Sequence, residues 1–267
     1  MEAQLRGGTA LLAYGVTAGV MVFVLAPLLV AVSISFSEAP FASFPPQGFT
    51  LDWYRQVLAD PDFIDAASLS IGLALAVTAA SLVLGLPAAL ALQRGRLPWS
   101  APMQALLLSP LVFPVLITGL ALLQFYAAAH MRDATVNLFL GHTLVTLPYV
   151  VRTTTASLQL VDPSLEEAAR TLGAAPWRVF RKVTVPQIAP GVAAGALFAF
   201  MVSLDNYPVS MWLSDAQAVP LPILLFKDMQ RSFDPSIAAM ASLMILVGAV
   251  AVIGLEKLVG LRRAMGI

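Results

Sequence analysis

Six stretches of this chain carry no Asp, Glu, Lys or Arg: residues 7–37, 66–93, 97–131, 134–151, 183–204 and 235–255. A helix needs about 20 apolar residues to cross a bilayer, and a charge at its centre costs at least ~2.5 kcal/mol, so uninterrupted runs of this length are membrane spans. The fourth run extends past Arg152 toward Leu160 if that side chain snorkels to the interface. The runs are continuously apolar, whereas barrel strands alternate over about ten residues. The expected fold is therefore all-α: one polytopic transmembrane domain over 1–267, with six helices near 10–35, 65–92, 101–127, 135–159, 187–211 and 236–258. With 59% hydrophobic and 11% charged residues, the chain cannot wet a soluble surface. Fifteen cations against fifteen acids leave no net field for a nucleic-acid backbone. The absence of cysteine excludes disulfides, thiolate metal sites and cysteine nucleophiles. The first run far exceeds the core of a cleaved signal, so it is expected to stay as a helix.

Cations in alternate loops set the orientation. One side holds Arg6, Arg94, Arg96, Arg152, Arg170, Arg178, Arg181, Lys182, Lys257, Arg262 and Arg263; the other holds only Arg55, Arg132, Lys227 and Arg231. Both termini, the 93–97 loop and the 152–182 loop are expected in the cytoplasm.

Prolines Pro27, Pro87, Pro110, Pro114, Pro148 and Pro208 fall within or beside the spans. Each removes a backbone donor where water cannot replace it. Packing kinks are one reading; a bend at Pro110 and Pro114, followed by Gly119, is the other. On the outer side, Leu51, Tyr54 and Leu58 recur at helical spacing and predict a short interfacial helix. Pro220 and Pro222 are expected to keep 212–234 irregular. His130 and His142 are expected at or near the outer ends of spans three and four.

The loop at 162–186 carries the most information. Asp162-Pro163 reads as N-cap and first helical residue, or Ser164 and Glu167 as a capping box. Leu165, Ala168, Ala169 and Leu172 form an apolar stripe, with Glu166, Glu167 and Arg170 off it. Gly173 ends that helix where a left-handed residue is easiest. A second helix begins at Pro176, with Trp177, Val179, Phe180 and Val183 apolar and Arg178, Arg181 and Lys182 basic. So short a pair needs something to pack on, and a cytoplasmic partner with a matching groove is the natural candidate.

Glu167-Ala168-Ala169, three residues, Gly173, nine residues, then Val183-Thr184-Val185-Pro186 resembles the EAA loop of membrane subunits of binding-protein-dependent ABC importers. That pattern has Ile and Leu where Val183 and Val185 stand. Residues 49–54 and Ser203-Leu204-Asp205-Asn206 resemble the spermidine/putrescine permease branch. The resemblance implies a type I importer in a bacterial inner membrane. Its parts would be a second permease subunit (copy or paralogue), two cytoplasmic ATPases that bind ATP and Mg, an external solute-binding protein, and surrounding lipid. It assigns ATPase coupling to Glu166, Glu167, Ala168, Ala169, Gly173, Trp177, Arg178 and Pro186. No cofactor, metal or catalytic residue is expected in this chain: none of its lysines is followed by Ser or Thr, so there is no phosphate loop.

A membrane enzyme and a secondary transporter are the alternatives; the chain lacks hydrolase and zinc-protease motifs and repeated halves. Asp205 is the one acid left near or within a span. It either caps the helix at the interface, pairs with a partner's Arg, or faces the translocation path, with Asn206, Tyr207 and Trp212 completing a site for a cation.

Overall fold

The computed structural model describes residues 8–95 and 98–259. The expectations for both termini, including Arg6, Arg96, Arg262 and Arg263, fall outside those residues. The described residues are helical, without a β-strand among them. They divide into two compact units, Met1–Pro61 with Lys227–Leu246, and Asp62–Phe226 with Val247–Ile267.

The first unit begins with α1 (Gly8–Ile34), apolar around its whole circumference and unburied along its length. The turn after it is organised by Ser37, whose Oγ accepts from the amide of Gln47 at 3.0 Å. In α2 (Asp52–Ala59), Trp53 donates to the Ser37 carbonyl at 2.8 Å and the Tyr54 hydroxyl meets Ser35 Oγ at 2.7 Å. Val57 is buried while Leu51 and Leu58 stay exposed. The helix therefore turns inward on 53, 54 and 57 rather than on the expected 51, 54 and 58, because the indole and phenol need the polar groups at the end of α1.

The second unit contains the spans between residues 62 and 226, while the last span, residues 235–259, is divided between the two units. Helix α3 (Pro61–Arg94) runs unbroken through Pro87. The third expected span is two helices, α4 (Ser100–Leu108), tightened by a 3₁₀ turn over Ser109–Leu111, and α5 (Val115–Ala128), with a 100° bend between them. Pro110 and Pro114 bracket that bend; Pro87 and Pro148 sit inside continuous helices. Among the described residues, five helices are thus long and apolar enough to cross a membrane, six if the bent pair is one span. Helix α6 (Ala134–Gln159) packs along α9 (Val185–Leu204), and what permits this is the absence of side chains at Gly191 and Gly195. A Cβ on Gly195 would lie 2.9 Å from the Val150 Cα, and one on Gly191 2.7 Å from the Thr153 carbonyl. Without a hydrophobic drive between helices in lipid, such close backbone approach supplies the association. Ser81 and Thr146 add a buried hydroxyl bond of 2.9 Å between α3 and α6.

Between α6 and α9 lie α7 (Pro163–Thr171), α8 (Pro176–Val179) and a π turn over Phe180–Thr184 that joins α8 to α9 as one helix. After α9 come α10 (Tyr207–Leu213), α11 (Leu221–Arg231) and α12 (Pro235–Val259). The expectation of an irregular 212–234 fails in part. Pro220 accepts from the amides of Ile223 and Leu224, and Pro222 occupies the first turn, where a missing N–H costs nothing.

Candidate coupling loop and membrane pathway

At the start of α7, the Asp162 carboxylate accepts from the Ser164 amide at 2.9 Å, with Pro163 as the first helical residue. That hydrogen bond, then one with the Ser164 side chain, holds the Asp162 carboxyl below its ordinary range. Of the two starts open in the sequence, the Asp162 cap is the one formed. The helix ends in a left-handed turn at Gly173, φ +82°, where the Gly173 amide donates to Arg170 and the Ala174 amide to Ala169. No atom lies within 4 Å of a Cβ placed there, so Gly173 is required by its backbone angle and not by crowding.

The exposed residues of the loop include large apolar side chains. Leu165 is 51% exposed, Leu172 87% and Trp177 68%, with Glu167, Ala168, Arg178 and Pro186 also exposed and Ala169 half-buried. Three large apolar side chains are thus exposed on one short segment.

Glu166 faces the other way, against the expectation that it lies with Glu167 on the polar face. It is 7% exposed. Arg94, at the end of α3, brings Nη1 to 2.6 Å from Oε1 and 2.9 Å from Oε2. The Thr184 hydroxyl, in the π turn, donates to Oε1 at 2.6 Å, and Arg170 approaches Oε2 at 3.9 Å. Burial by itself would raise the Glu166 carboxyl; the Thr184 and Arg94 hydrogen bonds and the charges of Arg94 and Arg170 outweigh it and hold the group below its usual range. Arg94 escaped the sequence reading because nothing local marks a loop cation as the partner of a carboxylate 72 residues away.

The second candidate region is the break between α9 and α10. The Leu204 end of α9 and the Tyr207 start of α10 are separated by Asp205 and Asn206. Its depth follows from its neighbours. His142 reaches Ser203 Oγ with Nδ1 at 3.0 Å and Ser210 Oγ with Nε2 at 3.1 Å. His142 is eight residues from the Ala134 end of α6, about 12 Å at the helical rise. Gly119, whose missing Cβ would touch Trp212 and the Pro208 carbonyl, is nine residues from the Ala128 end of α5, about 14 Å. Arg132 and Asp133 lie between those two ends. The break therefore lies about 12–14 Å along the helix axes from the Ala128 end of α5 and the Ala134 end of α6.

Asp205 caps the end of α9, exposed, with no Lys or Arg in ion-pair range among the described residues. Asn206 is 4% exposed, its Oδ1 accepting from the Val209 amide at 3.2 Å to cap α10. Tyr207 is half-buried, its ring 4.9 Å from that of Phe226, and Trp212 packs on the core cluster of Leu73, Tyr126, Leu138 and Leu213. The break thus gathers Asp205 and Tyr207 at one level, while Asn206 is occupied by its cap. His142 corrects the sequence reading: it is 1% exposed, deep in α6 and bonded at both nitrogens, not an interfacial residue. The signal was available in the polar spacing of His142, Thr146, Thr153 and Ser157 along one face of an otherwise apolar helix.

Residues 81–264, more than half of the chain, match the family described as the binding-protein-dependent transport system inner membrane component. The chain belongs to this family. The permease is 35% identical over 239 residues to the putrescine transport system permease protein PotI of Escherichia coli, covering 87% of this chain and 84% of that one. It is 30% identical over 234 residues to the spermidine/putrescine permease PotC of Haemophilus influenzae, covering 87% and 90%. It is also 32% identical over 236 residues to the molybdenum transport system permease ModB of Mycobacterium bovis, covering 81% and 86%. Its fold matches a chain of a bacterial ABC transporter involved in import of the acidic polysaccharide alginate, with TM-score 0.66 at 17% identity over 96% of this chain and 99% of that one. The permease is a multi-pass membrane subunit of an importer, and the polyamine branch first suggested by Ser203-Leu204-Asp205-Asn206 is the one its first relatives belong to.

Proposed function

We propose that this permease forms, with a second permease subunit, the path by which a polyamine or similar small organic cation enters the cell. Overall identity does not choose the cargo, since a relative named for molybdenum is nearly as similar as those named for putrescine and spermidine. The observation that carries the reading is Asp205: an exposed carboxylate at the end of a broken helix, with no Lys or Arg in ion-pair range among the described residues. The carbonyl end of α9 adds partial negative charge and the amide end of α10 partial positive charge at the same point, so the Asp205 carboxylate itself makes the site attract a cation and oppose an anion. Tyr207 offers an aromatic face beside it. Discontinuous helices of this kind line solute sites elsewhere in membrane transport.

The apolar face of Leu165, Leu172 and Trp177, with Glu167 and Ala168, docks a cytoplasmic ATPase, of which two copies bind ATP and Mg. Closure of the ATPases, passed through this loop, alternates the path between an external solute-binding protein and the cytoplasm. Both termini and residues 162–186 face the cytoplasm, and no covalent chemistry is assigned to the chain.

Uptake of radiolabelled putrescine by the assembled transporter, with and without Asp205→Asn, tests the reading. The variant keeps shape and hydrogen bonding and loses charge. KM is expected to rise about tenfold or more, since ~1.4 kcal/mol of lost attraction is already tenfold. Unchanged uptake with a less stable complex would place Asp205 against a partner's cation instead.

A further inference from the structure

Arg94, Glu166 and Thr184 bring together three separate elements: the last residue of α3, the first turn of α7 and the π turn that leads into α9. Each contact is charge-assisted and short, and the carboxylate at the centre is buried. Such bonds are the strongest polar contacts available to a protein, and a carboxylate held by a guanidinium on both oxygens is fixed in direction as well as distance. The π turn puts Thr184 under the carboxylate, and π turns recur at functional positions because they displace one residue out of helical register. Meanwhile the surface of α7 that faces away, Leu165, Glu167, Ala168 and Leu172, makes no use of Glu166.

We propose that Arg94, Glu166 and Thr184 form a strut that makes α7 move as one body with the ends of α3 and α9, so that Glu166 is a positioning residue for coupling and not part of the docking face. The proposal rests on the reading of residues 162–186 as the segment driven by the ATPase. Without the strut, α7 is a nine-residue helix on loops, and a push on it would be absorbed by bending at the loops. With it, displacement of the apolar face passes to two membrane helices at once: α3, which bonds α6 through Ser81 and Thr146, and α9, which ends at Asp205.

The chain contains no cysteine, so Ala91→Cys in α3 and Thr171→Cys at the end of α7, both exposed positions, accept a spin-label pair without further change. In the assembled full-length complex the label distance should be narrow, and Glu166→Gln and Arg94→Gln should each broaden it about twofold, as expected when a local contact network is released. Both variants should co-purify with the ATPase and hydrolyse ATP, while putrescine taken up per ATP hydrolysed falls about tenfold, the loss expected from one strong charged hydrogen bond. Arg94→Glu combined with Glu166→Arg should recover part of the coupling. The strut is overturned if both single variants keep the narrow distance, or if Glu166→Gln loses the ATPase while Arg94→Gln retains it, which would make Glu166 a docking residue. If the unaltered complex shows no ATP-driven putrescine uptake, the transport reading falls, and the label distances still decide the strut.

Discussion

Nδ1 of His142 lies 3.0 Å from Oγ of Ser203, the residue two before the break in the fifth membrane helix. The same ring reaches Ser210 on the far side of that break, so one imidazole holds both broken ends. His142→Ala would leave two hydroxyls without it and open a void in a packed region. A loss of about 1–3 kcal/mol is expected, read as a lower thermal midpoint of the detergent-solubilised complex. His142→Gln, which retains hydrogen-bonding atoms, should lose less.

Gly191 and Gly195 set the separation of α6 and α9. Alanine at Gly195 would meet the Val150 backbone, and at Gly191 the Thr153 carbonyl, neither of which is a flexible side-chain end. Each substitution is expected to cost about 1–3 kcal/mol and reduce the yield of folded protein in size-exclusion profiles. Alanine at Gly72 or Gly254, where nothing lies within 4 Å, should leave the profile unchanged.

Gly173 separates strain from crowding. Because its surroundings are open and its φ is +82°, Gly173→Val is expected to cost about 1–2 kcal/mol in backbone energy and release the ATPase on co-purification. Gly173→Asn should retain most of it, since Asn tolerates the left-handed region. Equal losses for both would show that side-chain bulk is what the position excludes.

The Glu166 carboxyl titrates below its ordinary value of 4.5 in the folded chain, chiefly because its bonds to Thr184 and Arg94 outweigh burial. A depressed folded value stabilises fully above the unfolded one and is lost as pH falls through the folded one. The thermal midpoint of the unaltered protein should therefore exceed that of Glu166→Gln at pH 7, and the gap should close on acidification below about 4.5. A gap that widened with acid would mean the carboxylate is not stabilised by its partners.

What the sequence made legible was set by how locally each feature is determined. Apolar runs and cap residues act within a few positions, so the membrane helices, the start of α7 and the Gly173 turn were readable, with the Asp162 cap one of two starts left open. The direction of Glu166 was not, because a polar residue on an amphipathic helix turns inward only if a partner waits there, and Arg94 is distant in sequence. His142 was misplaced for a related reason: its depth depends on where α9 breaks, and two serines on α9 and α10 satisfy it. The α2 face shifted because indole and phenol hydrogen bonds outweighed a leucine stripe. The bend at Pro110 and Pro114 was one of two readings, and Pro87 and Pro148, in unbroken helices, explain why proline alone does not decide.

The Ser70 hydroxyl accepts from the amide of Leu221 at 2.7 Å across 151 residues of chain. At a synthesis rate of about 5–20 residues per second, roughly 8–30 s separate the emergence of the two partners from the ribosome. During that interval α3 is already in the bilayer and its serine must satisfy itself on its own helix. The segment from Pro220 onward can settle only against helices that arrived before it, so its seating is a late event in biogenesis.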